Sequence, residues 1–209
     1  MHKTDPRLAP IESNFLSIER DLYLILHKLF EENPNVAEAL KRLLVINNKM
    51  CIDKTGDKYT INAANSAEVE KVLDMELPDL IDCGYIRIVP KISLPEHEEV
   101  RSYILVNMDN FVTNATNPKF RDCIVSFDIV CHPEHWGLTN YQLRPIKIAG
   151  YIDAVLNETK LTGIGTFQFL GCNELILDEH LSGYTLSYMA VHGSDDWLPG
   201  KTYKGPGAE

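Results

Sequence analysis

The segment Cys123-Ile-Val-Ser-Phe-Asp-Ile-Val-Cys131 constrains this chain more than any other. Its side chains fall into two alternating sets, as a strand half-buried in a sheet requires. Cys123 and Cys131 lie on the same face of such a strand, because their separation in sequence is even. The strand runs straight into the crowded turn His132-Pro-Glu-His-Trp-Gly137, and a helical pattern follows over about 143–156. Thr139 and Gln142 match a capping box, but that would trap Pro145 inside the helix. A start close to Arg144, with Pro145 in the first position, avoids this. Ile148, Ile152, Val155 and Leu156 then form the buried stripe. Two more β-like stretches complete the block: 166–170, continued after a bulge or joined by a separate strand over 173–177, and a closing alternation over 184–192.

The part before this block reads differently. Over 11–30 the apolar positions Phe15, Ile18, Leu22, Ile25, Leu26 and Leu29 fall at helical spacing, and the helix ends before Asn33-Pro34. A second helix begins with Asn35 as N-cap and Glu38 three residues on. Residues 50–52 and 59–61 make a candidate hairpin. Asn65, with Glu68, caps a third helix that Pro78 ends. From Gly84 onward β character takes over, with a strand over 85–89 and a long one over 101–112. The longer strand places Tyr103 and Leu105 on one face, with Met108 as a further candidate for it.

The expected fold class is therefore α+β: an antiparallel or mixed β-sheet packed by one long helix, with an N-terminal helical portion. The expected organisation is a flexible arm over 1–10, the helical portion over 11–80, an α+β domain over 81–193 and a flexible tail over 194–209.

With 44% hydrophobic and 24% charged residues, the composition of this 209-residue chain is that of an ordinary globular protein. A net charge of −10 argues against nucleic-acid binding by phosphate neutralisation, although it is compatible with DNA passing an acidic wall. No apolar run reaches the ~20 residues of a membrane span. The N-terminus lacks the apolar core of a secretory signal, so the cytoplasm is the expected place of synthesis. Five cysteines without a CxxC spacing read as buried, reduced thiols.

Cys131, His132, Glu134 and His135 form the densest chemical cluster. Histidine with cysteine suits zinc, and a thiolate beside a histidine suits nucleophilic catalysis. Yet no distant ligand pair accompanies the cluster, and His97, His180 and His192 could join it only through the fold. Gly163, Gly165 and Gly171 are too sparse for a phosphate loop and precede strands rather than a helix. The expectation is no catalytic, metal or cofactor-binding residue. A small metal- or thiol-dependent enzyme built around Cys131, His132 and His135 is the alternative. Arg144 and Lys147, poorly placed against the helix dipole, read either as solvated flanks or as contacts to an acidic neighbour. Asp195, Asp196 and Trp197 are similarly ambiguous.

The stretches RDCIVSFDIVCHPEHW, YQLRPIKIAGYIDAVLN and LTGIGTFQFLGCNELILDEHLSGYTLSYMAVHG together resemble the tail-terminator or tail-completion (head–tail joining, neck) proteins of tailed bacteriophages. The resemblance covers roughly 85–193. It rests on the Arg144-Pro145 helix start, the Leu161-Thr-Gly turn and the closing Gly183-Tyr-Thr-Leu strand. It implies a non-enzymatic virion protein of the neck, assembled in the host cytoplasm. Such a subunit forms a ring, most often a hexamer, that caps the tail tube and joins it to the head connector. The partners implied are other copies of the chain, the tail-tube protein and neck proteins, with DNA passing the pore without sequence-specific binding and no membrane. The segments expected to touch neighbours are 90–112 and the loop 113–119.

Overall fold

A computed structural model describes residues 18–45, 52–55, 58–61, 66–88, 102–115, 120–138, 141–161 and 164–193. The arm, the Asn65 cap, the acidic segment 95–99, Thr139, Cys51 and the tail with Trp197 lie outside the described residues. In chain order the elements are α1 (Ile18–Phe30), α2 (Pro34–Val45), β1 (Ile52–Thr55), β2 (Lys58–Ile61), α3 (Ser66–Leu73), α4 (Leu77–Asp82), β3 (Ile86–Arg87), β4 (Ser102–Thr113), β5 (Phe120–Cys131), α5 (Arg144–Leu156), β6 (Lys160–Leu161), β7 (Gly165–Thr166), β8 (Gln168–Ile176) and β9 (Ser182–Gly193). A single 3-10 turn, Pro133–His135, follows β5.

The main sheet has five strands in the order β3-β4-β5-β9-β8. β3 pairs parallel to β4, and every other neighbour is antiparallel, so the sheet is mixed. The architecture is α+β. No single helix dominates it: α1 and α5 each have 13 residues, and α1, α2 and α5 all pack on the sheet. The expectation of one long packing helix is corrected accordingly. Long helices would not cover a twisted sheet as well as three shorter ones set side by side.

Alternation sorts the side chains of β5. Cys123, Val125, Phe127, Ile129 and Cys131 face the helices and are buried in the core with Ile25, Leu44, Ile148 and Ile152. The opposite face carries Asp122, Ser126 and Asp128, and its one apolar corner joins Tyr103, Leu105, Val130 and Leu181. Met108 belongs with Ile104 and Val106 on the helix side, because its even number puts it opposite Tyr103 and Leu105. Tyr188, fully buried on β9, meets Phe127, Phe167 and Phe169 edge-on, at centroid distances of 6.3, 6.0 and 6.2 Å. Its hydroxyl donates to Asp153 of α5 at 2.9 Å.

Several expected boundaries move for identifiable reasons. α2 starts at Pro34 rather than after Asn35, and the carbonyl of Asn33 accepts the first helical bond, from Ala37 N–H. Asn33 is thus the N-cap residue, and its side-chain amide donates to Lys28 O at the end of α1. Pro78 opens the short helix α4 instead of ending α3, since a proline in the first turn loses no helical bond. Lys41 closes α3 from outside, donating to Leu73 O and Met75 O at 3.1 and 2.6 Å. The candidate hairpin is present as β1 and β2. β8 is one strand with a bulge between Phe169 and Gly171. Among the described residues no helix is long and apolar enough to cross a membrane.

Candidate functional site

The turn after β5 is where the sequence concentrates its chemistry, and folding separates that cluster. Cys131 ends β5 opposite Ser102, the first residue of β4, and both are fully buried. The 3-10 turn swings His135 back over this corner, where its Nδ1 shares a 2.7 Å hydrogen bond with Ser102 Oγ. His132 points elsewhere. Its ring stacks on His180 of the β8–β9 connection, with centroids 6.1 Å apart. Cys131 and His135 are therefore brought to one buried corner, while His132 lies half-buried against His180.

Burial pushes the Cys131 thiol up to about 11, against smaller opposing effects from the Ser102 hydrogen bond and the Arg144 charge. At neutral pH such a sulfur is a protonated thiol, the less reactive form. Cys123 is held higher, at about 12, mainly by burial, with the backbone hydrogen bond at His192 pulling the other way. Cys83 and Cys172 are exposed, which corrects the reading of all the cysteines as buried. Among the described residues no group of three or more His, Cys, Asp or Glu side chains is arranged to hold a metal ion.

Arg144 reverses both of its expected roles. It is neither a solvated flank nor a surface contact but the largest fully buried side chain among the described residues. Its Nε donates to His135 O and its Nη1 to Leu43 O. Leu43 lies in the last turn of α2, so the guanidinium sits at a helix C-terminus, where positive charge is favoured. One side chain thus ties α2, the turn and α5 together.

A second buried polar contact closes the other end of the sheet. Asp21 of α1 and His192 of β9 are both fully buried, with Oδ2 and Nδ1 2.6 Å apart. Arg20 adds a bond to the other oxygen of Asp21 at 2.9 Å, and the Phe111 ring packs edge-on against His192. Asp21 was hidden in a sequence reading because it sits on the apolar face of α1. An acidic residue among Ile18, Leu22 and Ile25 was the available signal.

The surface feature most out of keeping with a lone globular subunit is β8. Seven of its nine residues are exposed on a sheet edge, including Phe169, Leu170 and Ile176, and Leu177 follows them. Of the segments expected to meet neighbours, 102–112 is largely committed to pairing with β5, and 90–101 and 116–119 lie outside the described residues.

The YomW family model matches residues 37–190, from α2 to near the end of β9, which takes in the buried corner, α5 and the exposed edge. No curated protein matches the chain.

Proposed function

We propose that this chain, which belongs to the YomW family, a family derived from Bacillus phage, is a structural subunit of a phage particle. In this reading it is a ring-forming neck or tail-terminator protein that stops growth of the tail tube and joins it to the head connector. The ring is a homo-oligomer, a hexamer by the resemblance in the order of its elements. The observation that carries the reading is the bare edge strand β8. Proteins that live as monomers blunt such edges with lysine, proline, bulges or a covering segment. β8 has one bulge near Phe169 but neither lysine nor proline, and holds Glu174 as its one charged residue.

Two further features support it. The buried corner of Cys131, Ser102, His135 and Arg144 has the properties of a structural joint: full burial, a protonated thiol and hydrogen bonds that link separate elements. The helix-free face of the sheet carries Asp109, Asp122 and Asp128, and the chain as a whole carries −10. DNA passing such a subunit would be repelled rather than held.

Mass spectrometry of purified virions tests the reading. The protein should appear in a low, fixed copy number, and particles made without it should carry tails of irregular length or unjoined heads. Its absence from purified virions, with normal tails in a null mutant, would sink the proposal.

A further inference from the structure

The helix layer is narrower than the sheet beneath it. α1, α2 and α5 pack on β4, β5 and β9, so β8 projects past them. The register fixes which β8 side chains share the helix side: Phe169 lies opposite Tyr188 and Cys172 opposite Leu186, both core residues. With Glu174 and Ile176 they make an exposed shelf beside α5, with Phe169 49% and Ile176 70% accessible. Nothing else among the described helices reaches out over them.

α5 has the opposite peculiarity. Its outward row is Ile146, Gly150 and Ala154, all exposed and none charged, whereas the outer row of a surface helix is normally polar. Open space surrounds the position where a Cβ on Gly150 would stand, so another backbone can come close there. Lys147 stands beside this row, half-buried.

We infer that these two surfaces meet between copies: the outward row of α5 of one copy lies on the β8 shelf of the next and extends the helix layer over it. The inference rests on the ring-forming reading and names the contact that builds the ring. A second copy is the occupant because the charges match. The shelf presents one carboxylate, Glu174, and the row presents Lys147 beside it. The helix also fits within the strand's length, since the 13 residues of α5 span ~20 Å and the nine of β8 ~30 Å. The two patches differ, so the contact is head-to-tail, the kind that closes rings.

Native mass spectrometry of the full chain, with circular dichroism to confirm folding, provides the test. Ile146→Glu blocks the row and Ile176→Lys blocks the shelf. Each variant alone should weaken association more than ~10-fold and run as a monomer. Mixed in equal amounts they should give one-to-one pairs, because each retains the surface the other lacks. Glu174→Lys and Lys147→Glu should each impair assembly, and both together in one chain should restore it. Rings that persist in Ile146→Glu and Ile176→Lys would overturn this contact and leave the ring reading standing. A homodimer formed by either single variant would overturn head-to-tail contact. A wild-type chain that stays monomeric at every concentration would overturn both.

Discussion

Gly183 shows how much one position can carry. It lies in β9 opposite Val130, and a methyl group there would overlap the Ile129 carbonyl oxygen. Backbone cannot swing aside as a flexible side chain does, so the β5–β9 pairing would have to spread. Gly183→Ala should cost roughly 3 kcal/mol, and calorimetry should show the melting temperature falling by roughly 10 °C. Asp21 is the second such residue. Asp21→Ala leaves His192 buried opposite a void and detaches Arg20 from α1's inner face. A loss of about 3 kcal/mol in urea denaturation is expected, and a change under 1 kcal/mol would mean that the pair contributes little net stability.

At the scale of elements, Arg144 makes α5 dependent on α2. Arg144→Lys keeps the charge but replaces two nitrogens set apart on a planar guanidinium by a single one. This weakens the bonds to His135 O and Leu43 O, so about 2 kcal/mol should be lost. Hydrogen exchange should then show faster opening in the last turn of α2 as well as the first turn of α5. Arg144 also marks where sequence reasoning stops. The strand Phe120–Cys131 and the stripe of α5 were legible because periodicity is a local property. Arg144 was judged against the dipole of its own helix, whereas its charge serves the end of another helix 101 positions away. The same limit explains the turn: neighbours in sequence, His132 and His135 part company because a 3-10 turn sends them to different sides. Pro78 was misread for a simpler reason, since a proline that ends one helix and one that starts the next look alike without the fold.

At the scale of the whole molecule, the buried thiols set a limit at high pH. The unfolded thiol ionises near 9, whereas folded Cys131 holds its proton to about 11. Folding is therefore favoured in full below pH 9, and this contribution is lost as pH rises through 11. The loss for Cys131 should approach roughly 3 kcal/mol, and Cys123 extends it toward pH 12. Urea titrations repeated from pH 8 to 11 should show a shallower decline in Cys131→Ala than in the wild type. Identical slopes would remove the thiol as the cause.

The strand order has a consequence for how this chain is made. β9 comes last among the strands, yet it lies between β5 and β8, and Asp21 waits 171 residues for its histidine. While the ribosome is still working, β5 has one side unpaired and β8 has no neighbour in the sheet at all. A chain broken off early would therefore lack the paired β8 and the shelf it carries. Were the proposed ring to form, such a product would be excluded by its own geometry, and only finished subunits would enter.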